Sequence, residues 1–309
     1  MIGQALTVTN SLISGNDALG NGGGVDGDAG SVTIVGSTLV GNQAAINGGG
    51  LTNFATLSVY NSTIASNTGY NGGGIYADAG STTLLVATTL SGNTANPDVG
   101  GGPAQNGGTT NIVNSTISGN NADVDGGGIW NSCPCHSEVN LYNVTVTNNQ
   151  ADADFNGSGT GGGVFNNNNG VSTVQPQDSL IAGNWATAFF KFYILRVNDC
   201  HGPLTSLDYN LIGTTSDCTF TASPDDQLNV SANIGPLQDN GGPTWTHALL
   251  PGSLAIDTGA PSGCRDQNGT LLATDQRGYP RTANGAGTTR CDIGAFELQR
   301  IVDLPLVRR

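Results

Sequence analysis

Short alternations of apolar and polar residues recur along this chain at a near-constant interval. An element starting at Asn10, Gly36, Asn61, Ala87, Asn114, Asn143 and Asp178 repeats with spacings of 26, 25, 26, 27, 29 and 35 residues. Three residues past each start stands an aliphatic side chain: Ile13, Leu39, Ile64, Leu90, Ile117, Val146 and Ile181. Upstream runs a second aliphatic column, Val8, Ile34, Val59, Leu85, Ile112 and Leu141, broken at Pro176. A Gly triplet starting at Gly22, Gly48, Gly72, Gly100, Gly126 and Gly161 keeps the same period. It is followed by Val25, Leu51, Ile75, Ile129 and Val164, with Pro103 as the exception. Period-two alternation over three to five residues predicts short strands.

Strands this short bury too little to stand alone, so equivalent strands of successive repeats must stack. The pattern predicts an all-β, single-stranded right-handed parallel β-helix of the pectate-lyase type. It has about seven to eight coils and three short strands per coil, with Ile64 directly beside Leu90. The hand follows the usual crossover preference. The unbroken column Asn16, Asn42, Asn67, Asn93, Asn120, Asn149 and Asn184 predicts a ladder of amides bonded from coil to coil. Leu12, Thr38, Thr63, Thr89, Thr116, Thr145 and Leu180 form an outward, mostly Thr column. Repeats occupy 1–198, a C-terminal module that continues or caps the helix 199–297, and a short tail 298–309. The apolar segment 185–197 reads as a strand or helix closing the rod, with an exposed partner-binding patch as the alternative.

Composition narrows the function. Gly is 48 of 309 residues, and charged residues are only 10%. Residues 1–190 contain no Lys or Arg and carry −11, while the rest carries −3 of the total −14. Nucleic acid is a poor partner without a basic footprint, and no apolar run is long enough for membrane insertion as a helix. Six cysteines, near one another as Cys133/Cys135, Cys200/Cys218 and Cys264/Cys291, point to disulfides and an oxidising, extracellular compartment. Free thiols are the alternative. The chain opens within a repeat, which suggests a longer precursor and an uncapped first coil open to end-to-end self-association.

The markers NSTISGN (114–120) and GGGI (126–129) resemble bacterial right-handed β-helix repeat proteins and, distantly, chlamydial polymorphic outer-membrane proteins. The strings DYNLIG (208–213), GPLQDNGGPTWTHALLPGSLAIDTG (235–259), TDQRGYPR (274–281) and CDIGAFE (291–297) resemble the choice-of-anchor Q domain of secreted and surface-attached bacterial proteins. That resemblance implies a cell-surface, adhesin-like protein with Cys200–Cys218 and Cys264–Cys291 bonds. The family usually runs on into an anchor, whereas only the tail 298–309 follows here.

Candidate acids are Asp26, Asp28, Asp78, Asp123, Asp125, Asp152 and Asp154, all near the Gly triplets. Turn formation is their first reading. Calcium ligation by Asp26, Asp28, Asp78, Asp123 or Asp125 is the second, and makes calcium the one cofactor to consider. Catalysis is the third, since a glycosidase needs two carboxyl groups facing one another. Cys133-Pro-Cys135-His136 lacks a second ligand pair for zinc. His247 reads as a packing residue. The expected function is a secreted, non-catalytic surface solenoid that contacts polysaccharide or another cell surface. A polysaccharide lyase or hydrolase with its site on inserted loops (98–110, 150–161 or 185–200) is the alternative, and an inert spacer the third.

Overall fold

The computed structural model describes residues 5–28, 30–190, 192–281 and 290–299. The described residues form strands, turns and irregular segments, with no helix among them. Among the described residues, four sheets of seven, nine, eight and eight strands run along a β-solenoid, and every strand of them but Phe192–Val197 pairs in parallel with an equivalent one coil away. Ile64 pairs with Leu39 on one side and Leu90 on the other, and all three are fully buried.

Each coil begins on a face of five or six residues, from Ala5–Thr9 to Ser172–Gln177. It turns at the element start, where Asn10, Gly36, Asn61, Ala87, Asn114, Asn143 and Asp178 all adopt positive φ. This is why Asn, Gly and Asp dominate that column. The threonine face follows, from Leu12–Ser14 to Gln227–Leu228. After the ladder Asn comes a face of two-residue strands such as Thr94–Ala95, which the sequence pattern hid inside a turn. Each coil therefore has four strands, not three. Two residues are too short for alternation to register. The fourth face follows the Gly triplet, from Val25–Gly27 to Cys218–Thr221. The middle Gly of the triplet lets this corner close, because a Cβ on Gly127 would overlap the Gln150 backbone of the next coil.

The asparagine ladder is continuous. From Asn16 to Asn149, each Nδ2 donates to the Oδ1 of the next ladder residue at 2.8 to 2.9 Å. From Asn42 onward it also donates to a carbonyl of the preceding coil, as Asn120 does to Leu90. The last Nδ2, on Asn184, donates to Asp199 Oδ1 at 2.9 Å, so a carboxylate ends the series. A second ladder went unforeseen. Ser37, Ser62, Ser115 and Ser179 donate to the carbonyl two residues earlier and accept the amide of the preceding coil.

Pro176, which breaks an aliphatic column, lies in the last strand of its sheet, where a missing N–H costs no ladder bond. Within the apolar segment, strands Trp185–Phe190 and Phe192–Val197 pair antiparallel and extend the edge of the two-residue face. The parallel stack continues through Cys200–Thr205 and Leu211–Ile212 to Leu228. Beyond it the chain folds back across the threonine face. Thr89 Oγ1 donates to the Trp245 carbonyl at 2.6 Å, Thr116 Oγ1 to Gln276 Oε1 at 2.6 Å, and Thr145 Oγ1 accepts the Ala295 amide at 3.0 Å. The outward threonines of these coils are thus buried, against the expectation of an exposed column, whereas Thr38 and Thr63 stay partly exposed. Leu180 and Leu211 complete the contact against Leu249, Ile293 and Phe296.

All six cysteines are disulfide-bonded, as Cys133–Cys135, Cys200–Cys218 and Cys264–Cys291. The tail expected at 298–309 lies outside the described residues from position 300 on.

Truncating a mid-ladder amide orphans buried groups on both neighbouring coils, at about 1–3 kcal/mol per group. Asn120→Ala should therefore lower the unfolding free energy by roughly 2–4 kcal/mol, and Asn16→Ala, at the exposed end, by much less. Urea unfolding followed by far-UV circular dichroism measures both, and equal losses would contradict the ladder.

Candidate functional site

Two groups of chemistry-bearing residues stand out. One is buried beneath the C-terminal module and the other lies along the fourth face.

In the buried group Arg277 is held on every side. It pairs with Asp275 at 2.7 Å, donates to the Glu297 carbonyl, and lies 3.5 Å from the centre of the Phe296 ring. Arg281, the largest fully buried side chain, pairs with Glu297 Oε2 at 3.2 Å. Its other amino group reaches Asn114 Oδ1 on the solenoid at 2.6 Å. Gln276 links Thr89, Thr116 and Thr244. His247 is buried, with Nε2 2.9 Å from Ser118 Oγ and Nδ1 2.7 Å from the Gly235 carbonyl. The buried side chains Asp275, Gln276, Arg277 and Arg281 thus fasten the module to the solenoid, whereas Thr274, Gly278, Tyr279 and Pro280 of the same string are exposed. Burial pushes Glu297 up to about 8, with the adjacent Asp292 adding to the rise and Arg281 opposing it. Burial likewise raises Asp178 to about 6 against the pull of the Ala260 amide.

Most of the candidate acids are engaged by neighbours in their own or the adjoining coil. Asp26 accepts from Thr52 Oγ1, Asp78 from Asn106 Nδ2 at 2.9 Å, and Asp152 from the Gly157 and Ser158 amides. Asp154 accepts from Asn156 Nδ2 at 2.6 Å, and Asp28 is exposed. Among the described residues, the only three potential metal-ligand side chains with atoms within 4.8 Å of one another are Asp178, Cys264 and Cys291, and the two sulfurs are bonded to each other. The calcium candidates Asp26, Asp28, Asp78, Asp123 and Asp125 do not form such a set. Cys133 and Cys135 are likewise occupied by their own bond, and His136 instead faces Glu138 at 3.6 Å.

The inserted loops do converge. The Val124 amide donates to the Asp98 carbonyl, and the Asp152 amide to the Val124 carbonyl. Their carboxyl groups influence one another at this corner. Burial raises Asp123, with Asp154 and Asp152 adding to it. Burial also raises Asp98, with Asp125 adding to it. For Asp125 burial outweighs the opposing Thr160 hydrogen bonds and the nearby His201.

Next to this corner lies a feature missed in the sequence. The outward central residue of the fourth face stacks in register as Asp26, Thr52, Tyr76, Ala104, Trp130, Phe165 and His201. Trp130, Phe165 and His201 are partly exposed, and the Phe165 and His201 rings lie 5.1 Å apart and 3° from parallel. The signal was available one residue after the aliphatic column Val25, Leu51, Ile75, Ile129 and Val164. Alignment of the triplets places Trp130 and Phe165 side by side. Comparisons of the chain with family models, curated proteins and solved structures find no match.

An acid whose pKa rises on folding is favoured in its protonated form by the fold. Its stabilising contribution is complete below the unfolded value and is lost as pH rises through the folded one. For Glu297 that window runs from about 4.5 to about 8. Thermal unfolding from pH 5 to pH 8 should show a falling midpoint, and Glu297→Gln should flatten that slope. A variant with the wild-type slope would remove Glu297 as its source.

Proposed function

We propose that this protein is an extracellular, non-catalytic β-solenoid that contacts carbohydrate, in an adhesin-like role, along its fourth face. The observation that carries the reading is the row Trp130–Phe165–His201, repeated at strand spacing and flanked by the Asp98–Asp125 corner. Partly exposed rings present apolar surface with fixed geometry, and aligned polar groups beside them accept hydroxyl hydrogen bonds. A rigid row that repeats coil by coil suits a polymer whose units also repeat. The strongly acidic repeats favour a neutral or cationic glycan over a polyanion. Three disulfides support an oxidising compartment.

The neighbouring carboxyl groups of Asp98 and Asp125 support a second reading, a glycan-cleaving enzyme at the same corner. Binding to immobilised polysaccharides and a glycan array, paired with product analysis on pectin, alginate and glycosaminoglycans, separates the two. The expected result is retention without product release. Trp130→Ala and Phe165→Ala should each weaken retention about tenfold, close to 1.4 kcal/mol, at unchanged circular dichroism. Turnover that disappears in Asp125→Asn would replace the binding reading with the enzymatic one.

A further inference from the structure

The three disulfides differ in exposure and in the loops they close. Cys264 and Cys291 are buried, Cys200 is buried beside a half-buried Cys218, and Cys135 alone is exposed. The bond from Cys135 to Cys133 spans a sequence separation of 2, against 18 and 27 for the other two. Loop closure stabilises a fold least when the closed loop is shortest. Nor is this bond needed to shut its own turn. Asn131 and Ser137, on either side of it, are held in the stacked sheets. Ser137 Oγ donates to Asn131 Oδ1 at 2.6 Å across the base of the turn. A purely structural role therefore accounts poorly for a bond at this place.

The two sulfurs have unequal surroundings. Cys133 is buried and tied to the next coil, its amide donating to Ser172 Oγ at 3.4 Å and its carbonyl accepting from Asn169 Nδ2. Cys135 follows Pro134 at the exposed tip of the turn. On the preceding coil, Gly107 leaves room for the bridge. A Cβ there would stand 2.6 Å from Cys135 Sγ and 3.1 Å from Cys133 Sγ.

Exposed disulfides are the ones open to exchange, and the rate depends on which sulfur is attacked and how readily the other leaves. The Cys135 amide donates to Cys133 Sγ at 3.1 Å. A donated N–H stabilises negative charge left on that sulfur. Cys135 is thus the attacked side and Cys133 the leaving side. The ties that hold Cys133 to the next coil keep the separated sulfurs within reach of one another.

We propose that Cys133–Cys135 is a thiol–disulfide exchange site that oxidises accessible dithiols. One thiolate of the dithiol attacks Cys135 Sγ. A mixed disulfide forms there as the Cys133–Cys135 bond breaks, and the electron pair leaves on Cys133 Sγ, which takes a proton from water. The second thiolate of the dithiol then attacks its partner sulfur in the mixed disulfide. Cys135 leaves as a thiolate and is protonated in turn. The dithiol departs as a disulfide, oxidised by two electrons, and the turn holds two thiols. This chemistry is independent of carbohydrate contact at the aromatic row.

The test incubates the full chain at neutral pH with dithiothreitol or with reduced, unfolded ribonuclease. Alkylation at timed intervals, followed by peptide mass spectrometry, reads each disulfide separately. Cys133–Cys135 should open about a hundredfold faster than Cys200–Cys218 and Cys264–Cys291. Opening by dithiothreitol alone assigns a small dithiol as substrate, and opening by both assigns a protein one. With oxidised glutathione, Cys133→Ser should form a lasting mixed disulfide at Cys135. Cys135→Ser, which leaves only the buried Cys133, should react at least about tenfold more slowly. A Cys133–Cys135 bond that opens no faster than the other two, or single variants that react equally, would overturn the assignment.

Discussion

A strand of two to five residues cannot hold itself in place, and this chain is built almost wholly from such strands. What fixes each coil is register with the next, and the asparagine amides enforce it. Each amide has both an acceptor and a donor committed to neighbouring coils, in a dry interior where an unmade bond is expensive. A slip by one residue would move a ladder amide out of reach and turn the aliphatic column outward. The apolar shaft supplies attraction without direction, and the amides supply the direction.

The C-terminal module depends on that regularity. It docks on threonine hydroxyls that recur at one coil spacing, so Gln276, Trp245 and Ala295 each find a partner in a different coil. Six ionisable side chains, Asp178, Asp275, Arg277, Arg281, Asp292 and Glu297, are buried at this junction. Such groups add little net stability where apolar packing could serve, yet removing one partner is costly. The contact is consequently specific to this docking position.

The coil repeat was plainly legible in the sequence, because identical environments recurring seven times select the same residue types. Ile64 and Leu90, the ladder asparagines and the corner glycines all stand where the pattern put them. The two-residue face was illegible because Thr94–Ala95 and its equivalents are shorter than one period of alternation. The burial of Thr89, Thr116 and Thr145 was hidden for another reason. It depends on residues about 150 positions away that carry no repeat of their own. Trp130 and Phe165 were missed because only two coils carry a large aromatic residue side by side there, too few to read as a column.

The amide ladder also has a polarity. Every rung passes a donor to the rung after it, and Asp199 receives without giving. Gene duplications that add whole coils can therefore be absorbed only upstream of that residue. The module narrows the choice further, since it grips fixed threonines from Thr89 to Thr145. Lengthening of this rod during evolution is confined to the coils before Thr89, where an inserted copy meets identical neighbours above and below and disturbs no tertiary clasp.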